Sequence, residues 1–235
     1  MKKVLVCNNC HTENPFYQYN CIKCNAFLRT KIANIDLWDT LWKLLESPVK
    51  TGEQIIHAEH KNFVVIILIL AGLKIGLSLL VFANAVLLFD NEISNPWIFI
   101  ITASLYFVIF LLVVSFLITF FNNMFGLKNR FRDNVALYSY SFLPIVLTLI
   151  VLTPIEIAIY GIYWFTFNPS PLMFKPITTY VLLFIECLFI IWSFVLIITS
   201  TYSQCKNIFY SILVGLCVVF TLALTMFYSL KFSYQ

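Results

Sequence analysis

Charge is scarce in this chain. Only 11% of its 235 residues are Asp, Glu, Lys or Arg, against roughly 25% in a soluble globular domain. Glycine is scarcer still, at six in the whole sequence, which leaves no glycine-rich loop to cradle a phosphate. There are three histidines, His11, His57 and His60, and all precede the long apolar runs. No HExxH and no GxSxG occurs, so zinc-peptidase and serine-hydrolase chemistry lack their residues. The reading is therefore a non-enzyme. No basic, aromatic-interleaved surface for nucleic acid is present either. A cleaved signal peptide is not expected: after Lys2 and Lys3 the polar stretch 7–14 arrives before an apolar segment could form.

In place of charge there is apolar bulk. Hydrophobic residues make up 61% of the chain, with 24 Phe, 12 Tyr and 5 Trp, and the mean hydropathy is +0.89. A water-soluble core cannot absorb that much apolar surface. The spacing predicts five membrane-spanning helices over 63–89, 97–121, 135–161, 177–200 and 208–230, each near the roughly 20 residues needed to cross about 30 Å of hydrocarbon. Short polar breaks separate them, at Asp90-Asn91-Glu92, Asn95-Pro96 and 168–171. Pro144 and Pro154 lie inside the third span and predict bends there. The expected fold class is an all-α polytopic membrane protein, a five-helix transmembrane bundle with a small N-terminal zinc ribbon. Its domains are the ribbon at 1–31, a cytoplasmic helical linker at 34–62, and the membrane domain at 63–230.

Orientation follows from the basic flanks. Lys2, Lys3, Lys23, Arg29, Lys31, Lys43, Lys50, Lys61, Lys128, Arg130, Arg132 and Lys206 fall on one side, against Lys175 and Lys231 on the other. The positive-inside rule then places the N-terminus in the cytoplasm and the C-terminus outside. The expected location is the inner membrane of a prokaryote.

The most specific motif is Cys7-Asn8-Asn9-Cys10, ten residues, then Cys21-Ile22-Lys23-Cys24. Two CxxC knuckles joined by a hairpin bring four thiolates to one point, the tetrahedral arrangement of structural zinc. A reducing cytoplasm disfavours two disulfides in their place, while iron remains chemically open for the same four thiolates. A closed site of four sulfurs leaves no coordination position for catalysis. About thirty residues cannot build an adequate core, so the metal is expected to supply most of the folding energy. CNNCHTENPFYQYNCIKCNAFLR resembles the short zinc ribbons at the N-termini of many prokaryotic membrane proteins. It carries His11 and Asn25 where those commonly have glycine after each knuckle.

Between ribbon and first span, Ile35, Trp38, Leu41, Trp42 and Leu45 recur at helical spacing, with Asp36, Asp39, Lys43 and Glu46 on other faces and Pro48 closing the segment. Trp38 and Trp42 mark one side that avoids water. Two arrangements satisfy this: an interfacial helix on the cytoplasmic leaflet, or a helix packed on the inner face of the bundle.

The order of these elements carries a resemblance. LWKLLESPVKTGEQIIHAEHKNF, NRFRDNVALYSYSFLPIVL and the stretch from Pro154 to Gly161 are similar to the Yip family of Ypt/Rab-interacting membrane proteins, over roughly residues 36–230. The resemblance implies a five-helix membrane domain with a cytosolic N-terminus that organises membranes or membrane-protein partners. It does not carry over a GTPase partner.

Three ionisable residues, Lys74, Glu156 and Glu186, fall inside the spans. A charge at the centre of a spanning helix costs on the order of 2.5–3.5 kcal/mol, so each is expected to find a partner, water or a neutral state. Lys74, 11 residues beyond Phe63, and Glu186, 9 beyond Ile177 on a helix running the other way, fall at similar depths. They are expected to form a buried ion pair. Counted from Val135, Glu156 falls about 31 Å along its span, near the outer face and Lys175.

Two functions are compatible with these residues. One is a non-enzymatic protein of Yip type with the zinc ribbon as docking module for a protein partner. The other is a transporter or channel using Lys74 and Glu186, whose small-molecule substrate the sequence does not name. The lipid bilayer is a partner in both.

Overall fold

A computed structural model of the chain describes residues 4–15, 17–28, 34–86, 95–124, 126–127 and 129–233, with few side chains beyond residue 224. Residues 31–33 of the expected domain boundary, the polar break at Asp90-Asn91-Glu92, and the basic residues Lys2, Lys3, Arg29, Lys31 and Lys128 lie outside the described residues.

The N-terminal segment is a small hairpin. Strand β1, Val4–Val6, pairs antiparallel with β2, Glu13–Pro15, in the register Leu5 opposite Asn14. Each CxxC knuckle turns back on itself: His11 N–H donates to Cys7 O at 2.9 Å and Asn25 N–H to Cys21 O at 3.0 Å. Both residues after the knuckles hold positive φ, +52° at His11 and +59° at Asn25. That is the left-handed turn which glycine makes most easily and Asn tolerates better than His.

Two short helices come next. Helix α1, Leu37–Glu46, begins at Asp36, whose carboxylate accepts from the N–H groups of Trp38 and Asp39; this satisfies two of the free donors at a helix start. Pro48 ends α1 and opens α2, Pro48–His57, at a position where a proline lacks nothing. Helix α2 buries Thr51, Gly52, Ile55 and Ile56. Its C-terminal carbonyls are capped by Lys61, whose Nζ donates to Ile55 O at 2.6 Å and Ile56 O at 3.3 Å. The same Nζ lies 3.1 Å from Asp133. Burial lowers the Lys61 pKa, against the opposing pull of Asp133.

Among the described residues, four helical stretches are long and apolar enough to cross a membrane: Val64–Ala85, Pro96–Met124, Leu143–Tyr160 and Pro176–Cys205. They correspond to α3 (Val64–Val86), α4 (Pro96–Met124), a composite third span, and a later helix, Pro176–Cys205. Large apolar side chains face outward along them, among them Ile66, Ile69, Phe116, Phe184 and Ile190. A contiguous apolar exterior of this kind is untenable in water and is what lipid requires.

Helices α3 and α4 approach closely at two glycines spaced four apart. A Cβ on Gly76 would lie 2.7 Å from the Ile100 carbonyl oxygen, and one on Gly72 3.2 Å from that of Ser104. The gap admits a direct bond from Ser104 Oγ to Gly72 O at 2.9 Å. Small residues that bring backbones together are the usual means of helix association in lipid, where no hydrophobic effect drives it.

The third span is broken, as its prolines predict, but it begins later than expected. Helix α5 is Phe131–Ser141 and stands apart; it buries Asp133, Asn134, Ser139 and Ser141 along with Tyr138 and Tyr140. The apolar stretch starts at Leu143, not Val135, because α5 is too polar to face lipid. It runs through α6 (Leu143–Leu147), a π-helical turn (Thr148–Leu152) and α7 (Thr153–Tyr160), ending at Gly161 with φ +62°. Pro144 sits in the first turn of α6, the one place in a helix where the missing N–H costs nothing, and Pro154 follows directly on the π turn, where the regular α-helical hydrogen-bond ladder is already interrupted.

Short helices α8 (Tyr163–Thr166) and α9 (Pro171–Phe174) lead to α10 (Pro176–Cys205), and α11 (Ile208–Ser233) folds back along it. Gly215 lets α11 press onto Ile198 of α10, where a Cβ would come within 2.6 Å. The described apolar part of α11, Ile208–Leu224, is shorter than the other four stretches. The end of the fifth expected span lies outside the described side chains.

One end of the bundle is polar. Asn122 Nδ2 donates to Gln204 Oε1 at 3.0 Å, Asn134 Nδ2 to Thr119 at 2.7 Å, and Tyr210 OH to Asn122 Oδ1 at 2.9 Å. This is the end that meets α2, through Lys206 and Glu53 at 2.6 Å.

Candidate metal centre and buried charge cluster

The hairpin brings Cys7, Cys10, Cys21 and Cys24 together, with their Sγ atoms all within 4.8 Å of one another. Cys7 and Cys24 are 3.5 Å apart and Cys10 and Cys21 3.4 Å. Disulfides are excluded by those lengths, since an S–S bond is about 2.05 Å. A tetrahedral ion with bonds of about 2.3 Å to sulfur sets its ligands roughly 3.8 Å apart, so the four thiols fit a single metal ion.

The surroundings favour thiolate at one corner and oppose it at another. The backbone N–H of Cys24 first, and that of Lys23 at 3.4 Å, push the Cys21 thiol down to about 6. The Ala26 N–H also favours thiolate at Cys24, yet the Cys10 thiol, burial and the Cys7 and Cys21 thiols push it up to about 12. Four thiolates this close repel, and a cation among them removes the conflict. Asn14, buried at the hairpin, donates to Thr12 O at 2.8 Å and accepts from Ile22 N–H at 2.9 Å, tying the two knuckles together.

The ribbon is held against the bundle. Tyr19 OH donates to His57 O at 2.6 Å, and the Arg130 guanidinium lies 3.7 Å over the Tyr17 ring. These contacts place it at the polar end, beside the C-terminus of α2 and the start of α5.

Trp38 and Trp42 point away from the protein, at 70% and 66% exposure, and Leu45 with them. The inward face of α1 is instead Thr40 and Leu44, flanked by Leu37 and Leu41. Of the two arrangements open to this helix, packing of the Trp face on the bundle is not what the fold contains.

Inside the bundle, Lys74 meets both carboxylates. Its Nζ hydrogen-bonds Glu186 Oε1, lies 3.1 Å from Thr153 Oγ1, and is 3.6 Å from Glu156 Oε2. Glu156 is thus not at the outer face beside Lys175. The depth estimate erred by counting helix α5 as part of the span: from Leu143, Glu156 is 13 residues in, or about 20 Å, level with Lys74. The π turn contributes too. An extra residue in one turn rotates the rest of the helix by about 100°, and Thr153 and Glu156 come directly after it. Sequence reasoning also missed the amide cluster at the polar end, because Asn and Gln carry no charge to stand out in an apolar run.

No protein-family model, no curated protein and no solved structure matches this chain.

Proposed function

We propose that this chain is a non-enzymatic integral membrane protein of Yip type with α11 as its fifth span, and that its four-cysteine cluster holds zinc and docks a cytoplasmic protein partner. In this reading it lies in the inner membrane of a prokaryote, N-terminus inside and C-terminus outside. The observation that carries the docking role is the ribbon's surface: Val6, Ile22 and Phe27 are exposed, the last two above 65%. Large apolar side chains left outward on so small a segment offer a surface for a partner to cover. Zinc suits four thiolates in a closed tetrahedron.

The basic residues Lys61, Arg130 and Lys206 gather at the ribbon's end of the bundle, which supports a cytoplasmic placement for that end. The exposed Trp38 and Trp42 beside it suit the headgroup layer of the same leaflet. Lys74, at 4% exposure and paired, supports a role in fixing helix positions over one in conduction.

Affinity capture from native membranes tests the docking role. A partner retained by the wild type is expected to be lost both in Cys21→Ser and in the double variant Ile22→Ser with Phe27→Ser, the latter keeping its metal. A partner retained by both variants would move the docking surface off the ribbon.

A further inference from the structure

Two carboxyl groups and one ammonium group meet in the interior of the bundle, and their charges do not cancel. Glu156 is fully buried, and neither of its oxygens has a hydrogen-bond partner among the described residues. Lys74 Nζ, 3.6 Å away, is already committed to Glu186 and Thr153. Fully ionised, the three side chains would leave one net negative charge among helices that are otherwise apolar. An uncompensated charge there is among the most costly arrangements a membrane protein can hold.

Among the described residues no further cation is at hand. Helix α3 presents only Lys74 to the site and α10 only Glu186, while α6 and the π turn carry no ionisable residue. Tyr163 of α8 stacks on Phe174 instead. The ammonium of Lys74 occupies the position from which a bound metal cation would contact both carboxylates, and would repel it.

We propose that Glu156 and Glu186 form a single-proton binding site, in which one proton rests on Glu156 while Glu186 serves as the carboxylate partner of Lys74. The bond formed is the O–H of a neutral Glu156 carboxyl, and the proton comes from water. Net charge at the site goes from minus one to zero. Glu186, whose side chain is 16% exposed where Glu156 has none, is the more accessible of the two carboxyls. This inference is independent of the ribbon's docking role, since it rests on side chains that do not touch the ribbon.

Infrared spectroscopy of the full-length protein in lipid nanodiscs, reading the deuterium-sensitive stretch of a protonated carboxyl, tests the site. At pH 7 the wild type is expected to show one such carboxyl. Glu156→Gln, which has the shape and charge of the protonated state, should fold normally and lose the band. Glu186→Gln should lose it too, because Glu156 then becomes the partner of Lys74. Lys74→Met should about double it. If a variant fails to fold, the wild type alone still decides: its band should vanish on raising the pH and return on lowering it. Absence of the band from the wild type, or its survival in both Gln variants, overturns the proposal. So does a wild type without the band whose melting temperature rises in sodium but not in choline at equal ionic strength, which would assign the site to a metal cation.

Discussion

At Lys74, three helices are joined by one side chain. Its Nζ reaches Glu186 on α10 and both Thr153 and Glu156 on α7, so its loss is expected to be felt by all three. Lys74→Met leaves Glu186 without its cation and should cost about 3–5 kcal/mol, the usual penalty for breaking a buried pair. Glu186→Gln should cost clearly less, because Glu156 can take over the ammonium. The double variant removes the mismatch and should be more stable than the sum of the single losses. Thermal melting in detergent reads all three, and strictly additive losses would refute the coupling. The pairing of Lys74 with Glu186 was legible in the sequence because depth along a helix follows from residue count. The place of Glu156 was not, since it depended on where a kinked span begins and on a π turn that no hydropathy pattern marks. At the ribbon, His11 and Asn25 stood out as departures from glycine, and both hold the left-handed turn that position demands.

The helices show a similar division. Hydropathy alone locates α3, α4 and α10, whose runs are long and uninterrupted. It misjudges α5, where Val135, Ala136 and Leu137 sit among Asp133, Asn134, Ser139 and Ser141, the four polar residues all buried against neighbouring helices. A buried polar helix and a lipid-facing apolar one share enough residues to merge when read as one window. Nor does composition reveal the close approach of α3 and α4, which depends on two of the six glycines. There the geometry ranks the substitutions: a Cβ at residue 76 meets a backbone oxygen at 2.7 Å, one at residue 72 at 3.2 Å. Gly76→Ala should therefore destabilise by about 1–3 kcal/mol, as overpacking of a rigid contact does, and Gly72→Ala by less. Melting temperatures in the same detergent check the order; a Gly72→Ala loss equal to or larger than that of Gly76→Ala would contradict it.

Across the whole molecule, the ribbon, α2, the start of α5 and the turn between α10 and α11 converge at one end. Arg130 over Tyr17, Tyr19 on His57, Lys61 with Asp133 and Lys206 with Glu53 tie them together. Basic flanks in the sequence assigned all of these segments to one side, and only the fold brings them into contact. The arrangement makes the ribbon a part of one polar end of the bundle, with Val6, Ile22 and Phe27 exposed. Central to this account is a metal ion holding the four-cysteine hairpin, which is too small to stand by itself. Elemental analysis of the purified full-length protein is the most direct test. One zinc per chain is expected, falling to none in Cys21→Ser; a wild type without stoichiometric metal, or one with Cys7 in a disulfide, would contradict the account.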